Sequence, residues 1–208
     1  GDQVIEDCTF TNNTALTLSG FGGGYHAVND SSDPDSVAFR DCLFTGNESG
    51  RYGGALSLIN EGSSLNDKVE ATLTGCRFES NTSASSSGAL LVSNMNASVA
   101  ACHFEGNVSG GTGGAIAASQ STLAVDDCTI TGNFSEPGGG GLGLFGGLTV
   151  VTESVISDNE ASGQGGGVYI SLGFGGTVEL GQTLVCGNVP DQISGAPFAD
   201  DGSNCVLE

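Results

Sequence analysis

The 208 residues suffice for one domain with a real core, and a formal net charge of −20, from 24 acidic and 4 basic residues, describes a surface that repels nucleic acid and anionic membrane. Gly fills 36 positions and apolar residues only 38%, a balance that suits a disordered chain unless the apolar residues recur in register. No run of about 20 apolar residues is present, so neither nucleic-acid binding nor membrane insertion by a helix is expected.

The chain opens at Gly1 without an initiator Met or a signal-peptide pattern and enters strand-like sequence at once, in QVIEDCTF. It is therefore expected to be a mature or excised fragment of a longer precursor. From Cys8 onward it repeats. Cys8, Cys42, Cys76, Cys102 and Cys128 are separated by 34, 34, 26 and 26 residues, and Ser154 and Thr183 follow at 26 and 29. Two residues after each stand Phe10, Phe44, Phe78, Phe104, Ile130, Ile156 and Val185. Five after each stand Asn13, Asn47, Asn81, Asn107, Asn133, Asn159 and Asn188. Three before each stand Ile5, Phe39, Leu73, Val99, Val125, Val151 and Leu180.

After each glycine stretch come Tyr25, Leu56, Leu90, Ile116, Leu142 and Val168, and two further on Ala27, Leu58, Val92, Ala118, Leu144 and Ile170. Spacing by two means strands with alternate side chains turned inward. Each unit therefore holds about three short strands and leaves no room for a helix. The fold class that follows is an all-β, single-stranded parallel β-helix solenoid of about seven coils of 26–34 residues, roughly 30 Å long at the strand spacing. An antiparallel sandwich would instead predict hairpin turns and no fixed register. The first two units carry polar insertions, VNDSSDPDS and NEGSSLNDK, after the post-glycine strand, where a loop belongs. Residues 1–188 are assigned to the repeats and 189–208 to a C-terminal cap.

Two motifs give the repeats a family likeness. F-x-x-N is intact at Phe10–Asn13, Phe44–Asn47, Phe78–Asn81 and Phe104–Asn107. G-G-A-[ILV] is intact at Gly53–Leu56 and Gly113–Ile116, close at Ser87–Leu90, and reduced to GGG plus an apolar residue at 22–25, 139–142 and 165–168. Paired in this way, over residues 3 to about 188, they resemble the repeats of the chlamydial polymorphic outer membrane proteins and, more widely, secreted pectate-lyase-like right-handed β-helices. The resemblance implies a right-handed coil and an extracellular or cell-surface rod, adhesive or structural, and it brings no catalytic residue. The tail VCGNVPDQISG…DDGSNCV resembles the closing segment of many bacterial secreted β-helix proteins. That likeness implies a disulfide between Cys186 and Cys205, closing a loop of about 20 residues and stabilising by roughly 3 kcal/mol in an oxidising compartment.

The Asn column reads as an amide ladder at a tight bend, satisfying backbone groups that water cannot reach. Asn47, Asn81, Asn107 and Asn133 also read as N-x-[ST] sequons, explained by a small residue needed two positions later. Asn12, Asn29 and Asn96 are the better glycosylation candidates in a eukaryotic source. The Cys column (Cys8, Cys42, Cys76, Cys102, Cys128) reads as small buried hydrophobes, as vertical disulfides between coils, or as a metal ladder. His26 and His103 fall on outward positions, which speaks against the last.

Enzymes on this scaffold resemble pectate lyases or polygalacturonases, which use clustered acids with Ca²⁺ and an Arg base, or paired Asp on adjacent coils. Asp7, Asp41 and Asp127 share a column, but Gly75 and Ala101 interrupt it. The loop oxygens of Asn29, Asp30, Asp33 and Asp35 form a weak candidate Ca²⁺ site without EF-hand spacing; no other cofactor is expected. The leading expectation is a non-enzymatic secreted or cell-surface rod whose partners are surface proteins or glycans. The alternatives are a carbohydrate-active or carbohydrate-binding β-helix and a subunit that self-associates end to end into a filament.

Overall fold

The structure is a computed structural model, and it describes residues 2–16, 20–29, 36–61 and 70–207. No helix occurs among them; 26 strands wind into stacked coils whose pairings are all parallel. The registers reproduce the repeat columns. Ile5 lies beside Phe39, Phe39 beside Leu73 and Leu73 beside Val99. Phe10, Phe44, Phe78, Phe104, Ile130, Ile156 and Val185 follow one another in the second sheet, and Val206 adds an eighth member. Tyr25, Leu56, Leu90, Ile116, Leu142, Val168 and then Ile193 stack in the same way.

The core is the inside of the coil. Phe39, Phe44, Phe78, Phe104, Leu56, Leu73 and Ile116 are fully buried. Four Phe rings stack nearly parallel, with centroids 4.7, 4.8 and 4.6 Å apart, which is the coil spacing itself. Above Phe104 the column continues with Ile and Val, so the aromatic stack is confined to the first four coils.

Two features of the strand layout were not foreseen. A third, six-stranded sheet is built from two-residue strands just after the Asn column, such as Glu48–Ser49 and Val108–Ser109. Its inward residues Ser49, Ser83, Ser109 and Ser135 are buried. These are the serines of the four sequons, so the sequons do arise from a small residue that the interior requires. In the later coils the post-glycine strand also runs without a break into the first strand of the next coil, as Ile116–Asp126, Leu142–Thr152 and Val168–Gly181.

The corners are left-handed. The residue before the Cys column has positive φ in every coil: Asp7, Asp41, Gly75, Ala101, Asp127, Glu153 and Gln182, at 49–64°. Asp and Asn tolerate this region better than most side chains, so the acidic column is a column of bends. The glycine pair that opens most of the post-glycine strands has two separate causes. Gly113 sits at φ 76°, which favours Gly. A Cβ on Gly114 would lie 2.1 Å from the carbonyl oxygen of Gly140 in the next coil, so that position has no room for a side chain.

Candidate functional site

Two hydrogen-bonded columns run the length of the rod. In the first, each Asn of the F-x-x-N corner joins three coils. The backbone N–H and Nδ2 of Asn81 both donate to Oδ1 of Asn107, at 3.0 and 2.9 Å. The other Nδ2 hydrogen of Asn107 reaches back to the carbonyl of Phe78 at 2.9 Å. The pattern repeats from Asn13 through Asn47, Asn133 and Asn159 to Asn188. Asn47, Asn81, Asn107, Asn133, Asn159 and Asn188 are buried. An amide is needed because only it offers both an acceptor and two donors here.

The second column is the cysteines, and their role is wider than filling space. The backbone N–H of Cys76 donates to Sγ of Cys102 and that of Cys102 to Sγ of Cys128, each at 3.4 Å. The N–H of Cys128 donates to Oγ of Ser154 at 3.0 Å. The thiols of Cys102 and Cys128 donate to carbonyls two residues back, of Ala100 and Asp126. Ser154 and Thr183 do the same with hydroxyls, to Thr152 and Gly181. Thiol and hydroxyl are interchangeable members of one ladder, a role missed when the column is judged by hydrophobicity alone. All five column cysteines are free thiols, Cys42 to Cys128 buried and Cys8 half-buried. Burial pushes the Cys42 thiol above its ordinary value, which keeps it protonated.

The Cys186–Cys205 disulfide expected from the tail does not form. Both residues are free, and the register shows why: Cys205 pairs with Leu184, while Cys186 pairs with Leu207. One coil spacing and two residues of strand rise put their Cα atoms roughly 8 Å apart, beyond the reach of a disulfide. The tail is held by side-chain oxygens that replace a missing coil. Gln192 Oε1 accepts from the N–H and Nδ2 of Asn188, at 3.1 and 2.8 Å. Asn204 Oδ1 accepts the N–H of Thr183 at 2.8 Å and Ser203 Oγ that of Gln182 at 2.7 Å. Beneath this cap a cavity of about 670 Å³ is lined by Ile193, Phe198 and Val206, with Asp191 and Asp200 among its polar residues.

Of the candidate Ca²⁺ ligands, Asp30, Asp33, Asp35 and the side chain of Asn29 lie outside the described residues, as does most of the second insertion, 62–69. Among the described residues no three His, Cys, Asp or Glu side chains group closely enough to hold a metal ion. Of the sequons, Asn12 is exposed at a left-handed bend, and Asn96 is half-buried in the paired strand Asn96–Ala100. Asp7, Asp41, Asp127 and Glu153 are exposed on outer bends. His103 pairs with Glu105 at 3.1 Å on the outside of the second sheet.

The glycine corners of the first two coils, where Phe21 and Tyr52 form an isolated parallel bridge, carry a cluster that the repeat columns do not show. Phe21 stacks on His26, with centroids 4.9 Å apart, and lies 5.4 Å from Tyr52. The guanidinium of Arg51 sits over both rings, 4.7 Å from Tyr52 and 5.5 Å from Phe21. His26 Nδ1 is 3.3 Å from the carbonyl oxygen of Ser57. Phe21 and Tyr52 remain half-buried, so the group is a partly open aromatic surface with one cation, on a protein with few cations.

Comparison with known proteins adds the fold family and nothing finer. No curated protein and no solved structure matches the chain. The model described as "Right handed beta helix region" matches residues 52–206. That match covers most of the chain, from the glycine corner of the second coil into the tail, and its fold agrees with the stacked parallel strands. The chain therefore belongs to the right-handed β-helix family.

Proposed function

We propose that the chain is a length of non-enzymatic rod, secreted or displayed at a cell surface, whose coils resemble those of the chlamydial polymorphic outer membrane proteins. The observation that carries this reading is where the repeated polar groups go. The Asn column and the thiol–hydroxyl column, which hold most of the buried chemistry, are engaged in bonds between coils. The acids of the bend column occupy left-handed corners on the outside. What varies from coil to coil, and so what a partner can read, is the outer surface and the two insertions.

The test is to incubate the purified chain with a panel of acidic and neutral polysaccharides and to follow reducing and unsaturated ends, alongside binding to intact cells and an immobilised glycan array. Saturable binding without chain cleavage supports the rod. Time-dependent release of sugar ends that scales with protein concentration overturns it.

A carbohydrate-binding β-helix is the second reading, favoured by the Phe21, His26, Arg51 and Tyr52 cluster. Aromatic faces pack against the C–H faces of sugar rings, and a guanidinium suits a carboxylate. On this reading Phe21→Ala with Tyr52→Ala abolishes glycan-array binding while leaving the unfolding temperature of the middle coils unchanged.

A further inference from the structure

Arg51 is out of keeping with its surroundings. The chain carries 24 acidic residues against 4 basic ones, and Arg40 and Arg77 are each paired with a glutamate, Glu6 and Glu79. Arg51 is exposed and forms no ion pair with a described acid. Its guanidinium lies over the rings of Tyr52 and Phe21 instead. A ring face attracts a cation but accepts no full hydrogen bond, so the N–H donors of the fork are left for another acceptor.

The corner beneath is held firmly. The carbonyl oxygen of Arg51 accepts the Ser83 hydroxyl at 2.9 Å and the N–H of Ser86 at 3.0 Å. Phe21 bridges to Tyr52 and Tyr52 to Ser86 along the rod. Phe21 also stacks on His26. Desolvation lowers the His26 pKa from its ordinary value, so near neutral pH the uncharged ring donates Nδ1–H to the Ser57 carbonyl. Glu61, whose charge acts on His26, makes no ion pair with Arg51. Arg51 is therefore the one positive group of the cluster, and its charge is unmatched.

We infer that Arg51 is the seat for an oxyanion group, carboxylate or sulfate, carried by a glycan that lies along the rod across Phe21 and Tyr52. The inference rests on the carbohydrate-binding reading above and adds to it the class of sugar. A guanidinium fork gives two parallel N–H bonds to the paired oxygens of such a group, which a lysine cannot. The rest of the row fits the carrier. After the half-buried rings of Phe21 and Tyr52, one coil apart, it continues with the half-buried hydroxyl residues Ser86 and Thr112. Ring faces followed by hydroxyls match a chain of sugars. A peptide strand finds no open edge here, because the backbone is already bonded coil to coil, Gly22 N–H to the Tyr52 carbonyl and Gly53 N–H to that of Ser86. Repulsion from the other acids does not decide the matter. At physiological salt exposed charges are screened beyond about 8 Å, and a group in contact with Arg51 lies well inside that distance.

The experiment titrates the purified chain, at physiological salt and neutral pH, with neutral, carboxylated and sulfated oligosaccharides of one backbone, and follows the Nε–H resonance of Arg51. At least one acidic form should bind about tenfold tighter than the neutral one and move that resonance; the tighter of the two names the acid group. Arg51→Gln should remove the preference and Arg51→Lys should keep only part of it, both with an unfolding temperature within about 2 °C of the original. Equal binding of neutral and acidic forms, unaffected by Arg51→Gln, overturns the inference and leaves the carbohydrate reading standing. An acidic preference that survives Arg51→Gln puts the anion elsewhere and overturns it too. Failure of every oligosaccharide to bind the folded chain overturns both. So far as the occupant is concerned, an acidic peptide that binds at Arg51 as tightly as the best oligosaccharide also overturns the inference.

Discussion

The Asn column and the Cys column run side by side through the same coils and bury their polar atoms equally well, yet one holds a single residue type and the other does not. Seven coils use Asn and the cap closes with Gln192. The neighbouring column uses five Cys, then Ser154, Thr183 and the cap residue Asn204. The difference lies in how many bonds one side chain must make. Asn107 accepts two hydrogen bonds from the coil before it and donates one back to Phe78 and one on to Asn133. A column thiol has only to accept one N–H and donate to one nearby carbonyl, and any small group with a lone pair and a polar hydrogen does that. The number of bonds required, not burial, sets which column tolerates substitution.

Four measurements break or sharpen that contrast. Asn107→Ala leaves the N–H and Nδ2 of Asn81 and the carbonyl of Phe78 unpaired inside the rod, and should cost about 4 kcal/mol in urea unfolding. A loss under about 1 kcal/mol would remove the ladder from the account of stability. Cys102→Ala removes one acceptor and a small buried volume, and about 2 kcal/mol is expected. Cys102→Ser keeps both ladder bonds and should fall within about 1 kcal/mol of wild type; a cost equal to that of the Ala change would show that sulfur's size, not its bonding, matters.

The smallest effect is the pH dependence. The Cys42 thiol is pushed up by burial, so the folded chain holds that proton more tightly than the unfolded chain does. The associated stability is complete below the ordinary thiol range and is lost as pH rises through the folded-state value. Access decides labelling separately: thiol reagents near neutral pH should reach the exposed Cys205 and the half-buried Cys8 and Cys186 first, and the buried Cys42 to Cys128 only on unfolding.

The interior was legible in the sequence because every inward column repeats at the coil period, so residues such as Phe78 and Leu73 identify themselves by recurrence. The sequon serines were legible for the same reason. The cap was not. Gln192 follows Asn188 by only four residues and Asn204 follows Thr183 by 21, so neither falls on the 26-residue period that exposes the rest. The Cys186–Cys205 pair looked like a lock by analogy with other tails, and a two-residue register offset, invisible without strand pairing, prevents it. The aromatic cluster at Phe21 and Tyr52 escaped because it belongs to two coils only. Repetition reveals scaffold, and what differs between coils must be seen in space.

The parallel in-register stacking of the coils also sets how the rod responds to force. With free thiols throughout and no crosslink between coils, a pull on the N-terminus peels one coil at a time, breaking one ladder step before loading the next. Each coil, 26 to 34 residues long, releases roughly 90 to 115 Å of extended chain. A rod built this way is expected to yield in successive steps under tension rather than at once, the longest steps coming from the first two coils with their insertions.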